Sequence, residues 1–335
     1  MREVLWRIAE GVRCKKLQAA ELSMIFPVRN VEQEIAGILS FAADQAGEIN
    51  TEYIIVDMGS SDRTVFQSVR WMKLRGLHGF VVQNGESDVS SALNTGLQKA
   101  EGRYITFVFA RRLYEGFLPA YLETANRSQA DFVFGCFGKE EARAAERRNV
   151  SSAIRQPGGN EFLKDILRKG NGADIAAVLI RRGFLQEKSI QFHDGCSYGY
   201  AEEFLCRCFL QASSVVQAPA VLQRNMQPEL KRGKQKPVGK RIFQRVEATL
   251  RVIDVVKTLY PHDTDLLQLL ERNRLPAAVM SGVDVMLREG NSFQEIRSSV
   301  RDFGFDRYLV IGRQTEARLR NRIALWRTVP WLYRA

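Results

Sequence analysis

The stretch IIVDMGSSDRT, residues Ile54–Thr64, decides how this chain folds. The run Tyr53–Val56 is apolar, rich in β-branched side chains and too short for a helix, so it predicts a buried strand. Asp57, Gly59, Ser60, Ser61 and Asp62 close it with turn formers whose amides, hydroxyls and carboxylates can face a ligand. In an open α/β sheet such a turn lies at the carboxyl edge of the strands, where ligands bind. An ordinary strand-to-helix turn, with Asp62 capping a helix from Arg63, would use the same residues.

Three more segments follow the same logic. LSMIFPVRN, Leu22–Asn30, is a strand that stops at Pro27 and precedes a helical pattern from about Val31. SDVSSALNTGLQKAEGRYITFVF predicts a helix capped by Ser87 and ended by Gly102, then a buried strand over Tyr104–Phe109. FHDGCSYGYAEEFLCRCFLQA, from Phe192, is a glycine-containing loop running into a helix that carries Glu202 and Glu203. In order and spacing, from about residue 20 to about residue 225, this set resembles the family-2 glycosyltransferases of GT-A fold. In that family the first strand ends in proline, a VDDGSxDxT turn follows, an asparagine–glycine helix leads to a strand with a DxD, and a late GED lies on a helix.

The resemblance implies an α/β fold: a Rossmann-like, mixed nucleotide-binding sheet with a C-terminal helical extension. It also implies inverting transfer from a nucleotide-sugar. The donor site it implies comprises Pro27, Val28, Arg29, Asp57, Gly59, Ser60, Asp62, Asn94 and Arg111. The departures from the family are chemical. Met58 stands for the second acid after the second strand, and Leu93 for the arginine before Asn94. Phe109, Ala110 and Arg111 stand where the metal-binding DxD is expected, and neither phenylalanine nor arginine ligates the hard cations that want oxygen. No cofactor is therefore expected, and magnesium or manganese is disfavoured.

Arginine can instead meet the charge that develops on a diphosphate leaving group, as a bidentate donor to its oxygens. If the strand continues, Phe109 and Arg111 share the nucleotide-facing side and Arg112 points away, unless both arginines merely open a solvated loop. Ala201, Glu202 and Glu203 align with GED, which makes Glu203 the implied base for the acceptor hydroxyl. Successive helical residues point about 100° apart, so Glu202 and Glu203 cannot both face one atom. Two acids at a helix start also suit the helix dipole without any catalytic role.

Composition sets the remaining bounds. With 335 residues and 45% hydrophobic content, the chain can bury a large domain and an appendage. No apolar run approaches the roughly 20 residues that span a bilayer, and no secretory signal is evident. Five scattered cysteines suggest a reducing, cytoplasmic setting, and three histidines have no ligand spacing. Residues 1–20 read as a basic amphipathic helix with Leu5, Ile8 and Val12 on one face, residues 21–227 as the sheet domain, and 228–335 as a basic linker and helical region.

The tail RLRNRIALWRTVPWLYRA, from Arg318, carries five arginines, Trp326 and Trp331, and no acid. That suits an anionic membrane surface, though the same tryptophans could dock on the protein itself. Expected partners are a nucleotide-sugar donor, a polysaccharide or lipid-linked acceptor and such a membrane surface. Nucleic acid is not expected despite a net charge of +11, because no nucleic-acid fold signature appears. A non-catalytic scaffold partnering an active glycosyltransferase would also explain the lost DxD. A dinucleotide enzyme is disfavoured by the absent GxGxxG.

Overall fold

A computed structural model describes residues 4–8, 20–150, 156–170, 172–225, 237–312 and 315–333. The chain divides into two compact units: a sheet unit (1–159, 173–195 and 211–231) and a helical unit (160–172, 196–210 and 232–335).

The sheet unit holds strands β1 (Val4–Ile8), β2 (Leu22–Val28), β3 (Thr51–Asp57), β4 (Gly79–Gln83), β5 (Tyr104–Phe107), β6 (Leu113–Glu115), β7 (Phe132–Cys136), β8 (Val178–Arg181), β9 (Val215–Val221) and β10 (Gln223–Asn225). Eight of them form one mixed sheet in the order β1-β4-β3-β2-β5-β8-β7-β9, and β6 pairs with β10. Strands β4, β3, β2 and β5 are parallel, so their carboxyl ends share one edge. Helices α1 (Ile35–Ala46), α2 (Thr64–Arg75), α3 (Val89–Lys99), α4 (Leu118–Ser128), α5 (Lys139–Val150) and α7 (Arg182–Glu187) belong to the same unit, whereas α6 (Gly159–Lys169) counts with the other from Asn160 on. Strands β2 and β3 are buried along their whole length, which is why they read as continuous apolar runs. The core joins Met24, Phe26, Ile38, Leu39, Tyr53, Ile55 and Val81 to Tyr121, Val133 and Leu179.

Two expectations are corrected here. Residues Val4–Ile8 are not the start of a helix but a strand antiparallel to β4, with Val4 opposite Gln83 and Ile8 opposite Gly79. The open N–H and C=O groups on the outer side of β4 give this β-branched segment a ladder to complete. The remainder of residues 1–20, apart from Ala20, lies outside the described residues, as do residues 226–236 of the basic linker. The strand expected over Tyr104–Phe109 ends at Phe107. On β2 the residues facing β5 alternate, and Val108 N–H still donates to Ile25 O at 2.9 Å. The next rung would need an N–H from residue 27, and proline has none. The chain then reverses, with Arg112 N–H donating to Phe109 O at 2.9 Å.

The helical unit contains the rest of α6, α8 (Tyr200–Gln211) as far as Leu210, α9 (Gln244–Leu259), α10 (Thr264–Leu269), α11 (Leu275–Arg288), α12 (Phe293–Asp302) and α13 (Ala317–Thr328). A single π-helical turn, Leu270–Arg274, joins α10 to α11. Unlike a single division near residue 227, the helical unit also takes in α6 and α8, which specific polar contacts draw into the C-terminal helices. Asn160 and Lys164 each donate to Asp263 Oδ2 at 3.0 Å, and the Tyr260 hydroxyl donates to Leu210 O at 2.9 Å.

The tail docks on its own unit. Tyr333 donates to Asp284 Oδ1 at 2.6 Å and accepts from Arg322 Nε at 2.9 Å, while Arg322 also pairs with Asp284. Burial and the Asp284 contact push the Tyr333 hydroxyl up to about 12. Trp326, 5% exposed, lies between the rings of Phe293 and Tyr333, whereas Trp331 is 68% exposed. Trp326→Ala is therefore expected to cost about 3–5 kcal/mol of stability. Trp331→Ala should stay within about 0.5 kcal/mol, with urea denaturation of the full chain as the measurement. Equal costs would show that the two tryptophans are not divided between core and surface.

Candidate active site

The carboxyl ends of β2, β3 and β4 are in register, with Val28 opposite Asp57 and Asp57 opposite Gln83. The turns that leave them are tied together by side chains acting on backbone. Asn30 N–H donates to Ser60 Oγ at 2.9 Å, and Ser61 N–H donates back to Asn30 Oδ1 at 2.8 Å. Glu32 N–H donates to Asp62 Oδ2 at 3.1 Å and Val31 N–H to Thr64 Oγ1 at 2.8 Å. Asp57, 2% exposed, accepts from the amide and the hydroxyl of Ser60, which sets the carboxylate at the root of the turn. Gly59 has φ +77°, and a Cβ there would come within 3.0 Å of Gly85 O and Glu86 N. Only glycine lets the third turn approach this closely. Arg29 pairs with Glu86 at 3.7 Å.

The structure thus brings Pro27, Val28, Arg29, Asp57, Gly59, Ser60 and Asp62 to one edge. Asp62 is not the N-cap of α2, which begins one residue later than expected and has Arg63 in that position; its carboxylate accepts from Thr64 N–H at 3.0 Å in the turn before the helix. The cap of α3 is Asp88, not Ser87, because the Asp88 carboxylate reaches the Ser90 and Ser91 amides at 2.9 and 3.0 Å. Asn94 is engaged by the chain itself. Its amide nitrogen donates to Phe192 O at 2.9 Å and Asp194 Oδ1 at 2.8 Å, and its oxygen accepts from Phe192 N–H at 2.8 Å. It anchors the loop that begins at Phe192 and leaves His193 and Asp194 exposed. Asp194 is an acid the sequence reading passed over.

Arg111 sits at the tip of the reversal after β5 and is exposed. Among the described residues its guanidinium makes no ion pair, whereas Arg112 pairs with Asp174 at 3.2 Å. The two arginines thus differ in their partners, on a turn and not on a strand whose side chains alternate. Arg224 was missed: the β6–β10 ladder sets it opposite Tyr114, and its guanidinium donates to Arg111 O at 3.3 Å. No local motif marks a residue so far along the chain. The fold family implies a divalent ion at this turn, but Phe109, Ala110 and Arg111 offer no oxygen-bearing side chain. The donor set does not fit such an ion.

In the helical unit, Glu203 is 4% exposed and both its oxygens accept from Arg251, at 2.8 and 2.7 Å. Glu202 pairs with Arg274, which the π-helical turn presents. The two acids therefore face different arginines, as their 100° offset requires. Both line a small cavity with Gly199, Arg245 and Thr249. The sequence reading named the acids but not their basic partners.

Comparison with known proteins gives these observations a frame. Residues 23–187 match the model of Glycosyl transferase family 2. Among solved structures, residues 1–349 of S. aureus TarS in complex with UDP-GlcNAc align at a TM-score of 0.59 and 15% identity, over 92% of this chain and 87% of that one. TarS in its longer form aligns at 0.59 and 16%, with this chain covering 52% of it. The mannosyltransferase PcManGT of Pyrobaculum calidifontis, in complex with GDP-Man and Mn2+, aligns at 0.49 and 16%, over 89% of this chain and 87% of that one. No curated protein sequence matches the chain. Residues 23–187 thus form a glycosyl transferase family 2 region within an α/β GT-A fold, and the chain is a glycosyltransferase.

The edge turns also make a prediction about pH. Burial would raise the Asp62 pKa, but hydrogen bonds from the Thr64 hydroxyl and amide and from Glu32 N–H outweigh it and leave the carboxyl below its ordinary 3.8. A lowered folded value means that the contribution is complete above about pH 5 and is lost as the pH falls through the ordinary value toward the folded one. Urea midpoints followed from pH 6 to pH 2 should fall less steeply for Asp62→Asn than for the wild type, each relative to its own pH 6 value. Parallel curves would show that this hydrogen-bonded carboxylate contributes nothing to the acid limb.

Proposed function

We propose that the chain transfers a sugar, with inversion, from a nucleoside-diphosphate sugar to a polysaccharide or lipid-linked acceptor of the cell envelope. The observation that carries this is the edge where the β2, β3 and β4 turns are tied together, in a unit that also presents Arg111 and Arg224. The nucleoside would lie along Pro27, Val28 and Arg29, with Asp57 accepting from a base N–H through lone pairs that Ser60 leaves open. Arg111, with Arg224 beside it, would stabilise the leaving diphosphate without a divalent ion at the turn. TarS is named in complex with UDP-GlcNAc, which supports a nucleotide-sugar donor of this kind.

In the transfer itself, the acceptor oxygen forms a bond to the anomeric carbon, the bond to the diphosphate breaks, and the acceptor proton passes to a carboxylate. We assign that carboxylate to Glu203. A guanidinium fork occupies one lone pair on each oxygen and leaves the others able to accept. Arg251 then holds the group oriented. The setting is the cytoplasmic face of the membrane, with exposed Trp331, Arg318 and Arg320 on the surface.

Donor binding is tested by calorimetry over a panel of nucleotide-sugars. Asp57→Ala should weaken binding by about 1–3 kcal/mol, and EDTA should leave the wild-type affinity unchanged. Equal affinity in a folded Asp57→Ala variant would move the site elsewhere, and an affinity that requires manganese would show that other carboxylates hold an ion.

The base assignment is tested on turnover. Glu203→Gln should keep donor affinity and lose at least roughly 100-fold in kcat, while Asp194→Asn keeps most of its activity. The reverse pattern would make Asp194 the base and Glu203 a buried anchor for Arg251.

A further inference from the structure

The helical unit contains a second cavity, of about 210 Å3, that the transfer chemistry does not use. Arg297 and Arg301 reach it from α12, Arg327 from α13, and Asp306 from the short turn Phe305–Tyr308, over a floor of Val300, Leu309 and Trp326. Arg297 and Arg301 are four residues apart on one helix and so share a face. Among the described residues none of the three guanidiniums makes an ion pair, although several other acids of this unit are paired. Asp284 goes to Arg322, Asp263 to Lys164, Glu202 to Arg274 and Glu203 to Arg251. Three like charges around one hollow, with a single carboxylate, repel one another until an anion enters.

A floor that is apolar and includes an indole suits a carbon skeleton. The walls suit an oxyanion with several oxygens, because guanidinium forks match phosphate geometry. The charge balance, three positive groups against one negative, matches a dianion.

We propose that this cavity binds a phosphate ester, with Arg297, Arg301 and Arg327 on the phosphate oxygens and Asp306 accepting from a hydroxyl of the esterified sugar or polyol. The site goes beyond the transfer reaction proposed above and uses none of its residues. It gives the helical unit a way to hold a phosphorylated saccharide.

The test uses the full chain. Glucose 6-phosphate and glycerol 1-phosphate are titrated by calorimetry against glucose and glycerol as neutral controls. In parallel the protein is sedimented with phosphatidylcholine vesicles with and without phosphatidic acid. Both soluble esters should bind and the neutral compounds should not. Arg301→Ala and Arg327→Ala should each weaken ester binding by at least about tenfold, with nucleotide-sugar affinity and thermal midpoint unchanged. Arg327→Glu should abolish it. Arginine-dependent binding to phosphatidic acid vesicles without binding of soluble esters would assign the phosphate to a lipid headgroup. Absence of binding in both arms, or binding that all three substitutions leave unaltered, overturns the proposal. Because donor affinity is read separately, loss of the ester site and failure of the transferase reading give different results.

Discussion

One missing hydrogen-bond donor determines where this sheet becomes a site. Strand β2 lies at the centre of the parallel run, and its residues alternate between bonding to β3 and to β5. Toward β3 the ladder runs to the end, with Met58 N–H on Val28 O. Toward β5 it stops after Val108 N–H on Ile25 O, since Pro27 cannot supply the next rung. The released chain turns back at Phe109–Arg112, forms β6 and captures β10, and so sets Arg111 and Arg224 together. A proline that looks like a strand terminator in the sequence is thus the reason that two basic residues more than a hundred positions apart meet.

A second constraint acts from the other side of β2. Helix α3 lies so close that a Cβ on Gly96 would come within 2.4 Å of Ile25 Cγ2. That approach places Asn94 where its carboxamide can satisfy the backbone of Phe192 and the carboxylate of Asp194. The edge-to-face contact of Phe107 with Phe192, at 5.5 Å between ring centres, holds the same loop against the end of β5. Ile25 is therefore linked to both features, through its carbonyl to the arginine turn and through its side chain to the helix that fixes the loop before α8.

Much of this was legible in the sequence because it is local. The buried strands read as apolar runs, and the edge turns announce themselves through Gly59, Ser60 and Asp62, whose roles depend on neighbours a few residues away or on the adjacent turn. What escaped is non-local. Arg224 reaches Arg111 through a short ladder, and Arg251 and Arg274 find Glu203 and Glu202 by helix packing, none of which leaves a spacing to read. The strand at Val4–Ile8 was mistaken for a helix because its apolar positions fit both periods, and the open side of β4 decided between them. The membership of α6 and α8 in the helical unit escaped for a related reason. Composition changes near residue 227, but Asn160, Lys164 and Leu210 take their partners from beyond it.

The surplus of positive charge also becomes intelligible once the pairs are assigned. A net charge of +11 invites an account in terms of a polyanionic partner or a membrane, as though the charge were spread over the surface. Many of the arginines are instead fasteners. Arg181 holds the buried Asp131 at 2.7 Å, Arg251 holds Glu203, and Arg322 holds Asp284 and Tyr333. Each such pair contributes a fixed geometry and no net charge. Among the basic residues outside ion pairs are Arg111 and Arg224 at the turn in one unit and Arg297, Arg301 and Arg327 around the cavity in the other. On the reading proposed above, the two guanidiniums at the turn would meet the diphosphate oxygens directly. The same argument applies to the cavity. A cluster of like charges that the fold leaves unpaired costs stability in isolation, and it is retained at no such cost when an oxyanion completes it.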